Sequence, residues 1–222
     1  MDSNEALVQS LIKDGHLKTP RLIEAFQAID RADFVLPEHK NEAYENYPLP
    51  IGREQTISQP QTVAFMLELL DPQPGDRILD IGAGSGWQAA LLARVACTKL
   101  SLAQTSKVIA IERIPALCDF ARQNLEKYGL ISGGAVEVLC QDATAVIPGG
   151  PYDRIIAAAA AKKEIPEIWK KALKVGGRIV APIRGSVWQF DKQSESEWSE
   201  KEYRGFSFVP LMDEKNRGAS SQ

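Results

Sequence analysis

The sequence predicts an α/β fold, a mostly parallel sheet with helices on both faces. Three observations predict it. Between residues 77 and 182, strand-like and helix-like runs alternate, the pattern of strands joined by helical crossovers. The strand-like runs are apolar nearly throughout, as expected of strands covered on both faces. A glycine-rich turn, Gly82-Ala83-Gly84-Ser85-Gly86, directly follows the first of them and opens a helix.

The elements are read in order. A helix begins near residue 5, with Ala6, Leu7, Leu11 and Ile12 on one stripe, and Gly15 ends it. A second covers 20–30, with Leu22, Ile23, Phe26 and Ile29 at helical spacing. Residues 31–58 have no clear period and carry Pro37, Pro48 and Pro50, so they read as a long loop of functional interest. A helix over 60–70 follows, with Val63, Met66, Leu67 and Leu70 on one face. Residues 71–76 break the chain. Strands are expected at 77–81, 107–111, 136–139, 153–158 and 177–182, and helices at 87–95, 116–128 and 165–173. Residues 187–192 and 202–209 read as an antiparallel hairpin around a polar turn, added to the sheet edge. Residues 213–222 read as a frayed tail. Residues 96–106 lengthen the first crossover, and nothing in their chemistry explains why.

With 222 residues, the chain is expected to be one domain. It divides into N-terminal helices and a loop (1–70), a core (71–185) and a C-terminal hairpin with tail (186–222). A net charge of −3 gives no bulk attraction to nucleic acid. Cys97, Cys118 and Cys140 are odd in number and widely spaced, so they read as free thiols in a reducing compartment, with no metal site. The first residues lack a signal-peptide pattern, and no apolar run nears the roughly 20 residues that span a bilayer. A cytoplasmic protein, with no membrane or nucleic-acid partner, is expected.

The glycine turn lets a ligand approach the backbone closely. The dinucleotide fingerprint requires Gly-x-Gly-x-x-Gly. Here the third position is Trp87, which disfavours NAD. Asp80, just before the turn, would repel a pyrophosphate but suits a ligand bearing an ammonium and a sulfonium. Glu112 ends the second strand, where an acid can accept ribose hydroxyls. Asp142 follows the third, where an acid can take the exocyclic amine of adenine. Each acid alone would pass for a solvated loop carboxylate. Together, at consecutive strand ends, they point to a ligand site. Over residues 75–185 this resembles the Rossmann-like class I methyltransferases. The resemblance implies S-adenosyl-L-methionine as cofactor and S-adenosyl-L-homocysteine as product. The cofactor residues would be Asp80, Gly82, Ala83, Gly84, Ser85, Gly86, Glu112, Arg113, Asp142 and Ala143.

The acceptor must come from elsewhere. The stretch Pro48-Leu49-Pro50-Ile51-Gly52-Arg53-Glu54-Gln55-Thr56-Ile57-Ser58-Gln59-Pro60 sets hydroxyls and backbone donors before a helix start, an arrangement that suits an anion. Ser58 could equally serve as that helix's N-cap. The stretch resembles the signature of the protein-L-isoaspartate O-methyltransferases. So do Arg31-Ala32-Asp33-Phe34-Val35, the run 79–93, the run 173–182 and Phe208-Val209-Pro210-Leu211. Two departures stand out: Glu54 and Ala143 occupy positions where the family usually has glycine.

The resemblance implies methyl transfer to the free carboxylate of isoaspartyl residues in damaged proteins, initiating repair. Ser58 would orient the acceptor, with Thr56, Ile57 and Val209 also binding substrate, and the chain would act as a monomer. Other readings are a class I methyltransferase with another acceptor, and a cofactor-binding adaptor without turnover.

Overall fold

The structure is a computed structural model, and residues 1–97 and 107–211 are described. Helices α1 (Asn4–Lys13), α2 (Pro20–Ala28) and α3 (Pro60–Leu70) precede the sheet. The sheet and its crossovers comprise β3 (Arg77–Ile81), α4 (Trp87–Ala96), β4 (Lys107–Glu112), α5 (Pro115–Glu126), β5 (Val136–Cys140), β6 (Tyr152–Ala157), α6 (Glu167–Ala172), β7 (Leu173–Ile183), β8 (Ser186–Lys192) and β9 (Trp198–Arg204). The strand order is β5-β4-β3-β6-β7-β8-β9. The strands from β5 to β7 are parallel; β8 and β9 continue the sheet antiparallel. The expected architecture is therefore present.

Alternation along the strands separates two cores. Ile78 and Val108 join the cluster beneath α1 to α5, whereas their neighbours Leu79 and Ile109 join Trp169 of α6 on the other face. In α4 every residue but Arg94 is buried. Its Ala89, Ala90, Ala93 and Ala96 let it lie close to its neighbours, so truncating Leu91 or Leu92 to alanine should cost about 2–5 kcal/mol.

The structure corrects the sequence reading at three places. Residues 31–58 are not a plain loop. They hold two 3₁₀ turns (Arg31–Phe34 and Pro37–Glu42) and a hairpin of β1 (Leu49–Gly52) and β2 (Gln55–Ile57). The hairpin's turn places Arg53 and Glu54 at φ of 55° and 59°, conformations that glycine or asparagine usually signals. The last strand, expected at 202–209, is Trp198–Arg204. Gly205, at φ 94°, ends it. The alternating Phe206 and Phe208 instead form an aromatic cluster with Phe65. Thirdly, Cys118 and Cys140 form a disulfide. The crossover brings the first turn of α5 over the end of β5, with the two α-carbons 5.8 Å apart, a proximity that spacing in sequence does not reveal. The extension at 96–106 and the tail at 213–222 lie mostly or wholly outside the described residues.

Candidate functional site

The glycine turn leaves β3 at the carboxyl end of the sheet, where open α/β sheets bind ligands. Four of its amides are already engaged. Gly82 and Ala83 donate to the carbonyl of Ile111 at 2.8 and 3.1 Å. Gly84 donates to Glu112 Oε2 at 3.0 Å. Gly86 donates to the carbonyl of Ala83 at 2.8 Å. A turn wired this way offers few donors to a phosphate. What it offers is a surface without side chains, flanked by carboxylates.

Glu112 is 6% exposed. Its Oε1 accepts from the amides of Arg113 (2.8 Å) and Ile114 (2.9 Å), while Oε2 holds Gly84. These bonds fix the carboxylate at the border of two clefts, with one lone pair on Oε2 left for a ligand hydroxyl. Asp142 caps its own turn: Oδ1 accepts from the amide and hydroxyl of Thr144, both at 2.8 Å. The indole of Trp169 donates to the carbonyl of Ala143 at 2.8 Å and fixes that turn from the far core. Ala143 is not at positive φ, so the family's glycine is not needed there for backbone reasons.

Asp80 is fully buried. Gln88 Nε2 donates to its Oδ1 at 2.7 Å, and its Oδ2 has no partner. Desolvation pushes its pKa up to about 7; the Gln88 bond opposes the rise, and the charge of Glu112 adds to it. Asp80 was expected to point into the ligand site, but it lies beneath the turn and lines none of the clefts. Gly86 does not line them either. A Cβ there would meet Leu125 Cγ at 3.2 Å and the carbonyl of Ala121 at 3.3 Å, so this glycine permits close packing against α5.

Three contiguous hollows make up the site. The largest, about 540 Å³, is lined by Thr56 and Ser58 of the segment before α3, by Gly82, Gly84 and Glu112 at the sheet's carboxyl end, and by Phe206, Phe208 and Val209 beyond β9. A second, about 80 Å³, has Glu112, Arg113, Asp142 and Ala143 on its walls. A recess of about 30 Å³ reaches Ile57, Ala83, Ser85 and Gln88. The expected acceptor and cofactor residues are thus brought together, save Asp80 and Gly86.

The expected cap is absent: the N-cap of α3 is Gln59, with no side-chain bond, so Ser58 is not needed to start that helix. Val209 lies past β9, not in the last strand, and its carbonyl accepts from the amide of Ala160 at 2.8 Å. Sequence reading missed Gln55, which lines both larger hollows, and Ala158 and Ala159. The two alanines follow β6 at the carboxyl end of the sheet, and that position was the available signal.

The donor set fits a cationic nucleoside cofactor. It comprises a clamped carboxylate between two hollows, Glu112, and a second at the far hollow, Asp142, with the Asp80 carboxyl buried beneath the turn. A pyrophosphate would face Glu112 and Asp142 with most of the turn's amides already spent. Among the described residues, no group of His, Cys, Asp and Glu is arranged to hold a metal ion. No helix among them is long and apolar enough to cross a membrane.

Solved structures that resemble this one include a Plasmodium falciparum protein crystallised with S-adenosyl-L-homocysteine. Its TM-score is 0.83 at 22% identity, over 96% of this chain and 99% of that one. A solved protein-L-isoaspartate O-methyltransferase, 28% identical, gives a TM-score of 0.79 over 95% of this chain and 66% of that one. The protein-L-isoaspartate O-methyltransferase of Methanopyrus kandleri is 41% identical, over 96% of this chain and 92% of its own length. That of Aeropyrum pernix is 43% identical, over 94% and 78%. The profile of the protein-L-isoaspartate(D-aspartate) O-methyltransferase family matches residues 2–216, and the chain belongs to that family.

Proposed function

We infer that this protein transfers a methyl group from S-adenosyl-L-methionine to the free carboxylate of isoaspartyl residues in damaged proteins. The observation that carries this is the 540 Å³ cleft, whose lining joins Thr56 and Ser58 to Gly82, Gly84 and Glu112. Acceptor and cofactor would meet across that space.

When bound, the cofactor supplies an electrophilic methyl on a sulfonium. Glu112 would hold its ribose hydroxyls and Asp142 its adenine amine. Asp80 lines none of the clefts, and it would act from beneath the turn only through its charge, when ionised. Arg113 and Ala143 would wall the adenine side, with Ala83 and Ser85 at the recess. An isoaspartyl carboxylate is already ionised at neutral pH, so no general base is needed. What remains is alignment and the exclusion of water. Ser58 would donate to the carboxylate and orient it, and Thr56 and Ile57 would supply the wall beside it. Val209 would border the peptide on the other side. The backbone nitrogen that follows then attacks the ester carbonyl and expels methanol, closing a succinimide without further help, so the chain begins repair and does not complete it.

The partners are damaged polypeptides. We read the chain as a cytoplasmic monomer without nucleic-acid or membrane partners. The charged edge strand, with Glu200, Lys201 and Glu202 on β9, supports the monomer by discouraging edge pairing. The test is a pair of peptides differing only in aspartyl or isoaspartyl linkage, incubated with cofactor. Formation of S-adenosyl-L-homocysteine with the isoaspartyl peptide alone is the expected result. Turnover with neither would refute the reading.

A further inference from the structure

Arg31 is fully buried, and among the described residues no carboxylate is within hydrogen-bonding distance of it. Its Nη1 donates to the carbonyls of Ala43 (2.6 Å) and Glu45 (3.2 Å). Its Nη2 donates to those of Tyr47 (3.1 Å) and Ser58 (3.2 Å). Its guanidinium carbon lies over the ring of Trp87, 5.4 Å from its centroid. Burial lowers its pKa to about 10, so the group remains charged at neutral pH.

An interior cation without a counter-charge is expensive. A fold that only needed to fill this volume would do better with an apolar side chain. What Arg31 offers instead is a rigid fork of donors. Its acceptors are four carbonyls spread over residues 43–58, and that segment carries Pro48, Ile51, Thr56 and Ser58 of the large cleft. Trp87 is the first residue of α4, directly after the glycine turn. One guanidinium therefore touches the wall that would hold the methyl acceptor and the helix behind the floor that would hold the donor.

We propose that Arg31 is a positioning residue for methyl transfer, fixing the main chain at Ser58 against Trp87 so that acceptor and donor sites keep one separation. This rests on the methyl-transfer reading above. Arg31 touches neither reactant and acts only through the loop it ties down. A methyl displacement needs its reacting atoms aligned, so loosening this tie should weaken productive acceptor binding more than cofactor binding.

The test compares wild type with Arg31→Lys, which keeps the charge but loses the fork, and Arg31→Met, which loses both. Amide hydrogen exchange is read first. In Arg31→Lys, exchange over residues 47–58 should rise about tenfold, while that of α4 stays within about twofold. In steady-state assays, KM for an isoaspartyl peptide should rise about tenfold, with the Kd for S-adenosyl-L-homocysteine within about threefold of wild type. Arg31→Met should exceed Arg31→Lys in the same direction. Unchanged exchange over 47–58 overturns the proposal. So does a parallel loss of peptide and cofactor affinity, or failure of both variants to bind S-adenosyl-L-homocysteine, since either assigns Arg31 to folding alone. If wild type methylates no isoaspartyl peptide, the functional reading falls, while the exchange measurement still decides whether Arg31 ties the loop.

Discussion

Gln88 Nε2 holds one oxygen of Asp80 at 2.7 Å, and the other oxygen is buried without a partner. The pair sets a pH dependence. Between the ordinary value of 3.8 and about 7, the folded chain keeps a proton on Asp80 that the unfolded chain has lost. Stability of the ligand-free protein therefore falls as pH rises through that window, by at most about 1.4 kcal/mol per pH unit from this group. Cofactor affinity should run the opposite way, because only ionised Asp80 attracts a cation. Calorimetric titration with S-adenosyl-L-homocysteine should tighten several-fold from pH 6 to pH 8. Asp80→Asn should flatten that profile, weaken binding and stabilise the ligand-free protein above pH 7. A flat wild-type profile would contradict the assignment.

Ser58 separates positioning from capping, because Gln59 rather than Ser58 caps α3. Ser58→Ala should leave the unfolding midpoint and the cofactor Kd unchanged. It should lower kcat/KM for isoaspartyl peptide about 10- to 100-fold, the value of a hydrogen bond to a charged group. Unaltered kinetics would remove the hydroxyl from the mechanism.

Glu54 occupies a left-handed conformation at the exposed tip of the β1–β2 hairpin, which explains the family's glycine there. It does not line the clefts. Glu54→Gly should therefore raise stability by about 1 kcal/mol, the usual order of the left-handed penalty, in chemical denaturation. KM for isoaspartyl peptides should stay within about twofold. A large fall in KM would place the carboxylate near the substrate after all.

Gly86 tests the packing role. Its φ is 90°, and an added Cβ would press on Leu125 and Ala121. Gly86→Ala should cost about 2 kcal/mol or more of stability, visible as a lowered melting temperature. The cofactor Kd of the molecules that remain folded should change little.

The parallel core was legible because its strands are apolar on both faces and its breaks are marked by Gly and Pro. The acids Glu112 and Asp142 were legible because strand ends locate ligand sites, and both line the hollows. Other features depend on through-space contacts. The burial of Asp80 beneath its turn depends on how α4 packs over β3. The pairing of Cys118 with Cys140 depends on a crossover bringing distant residues together. Phe206 and Phe208 alternate as a strand would, yet Phe65 draws them into a cluster. The β1–β2 hairpin was hidden because its turn uses Arg and Glu at positive φ, residues that do not announce it.

The central claim is that this chain esterifies the isoaspartyl carboxylate, and locating the methyl group tests it most directly. Matched isoaspartyl and aspartyl peptides would be incubated with labelled S-adenosyl-L-methionine, and the products fragmented by mass spectrometry. The account predicts a base-labile methyl ester on the free carboxylate of the isoaspartyl residue, and none on its aspartyl twin. Methyl label on a nitrogen, on both peptides equally, or on neither would contradict it.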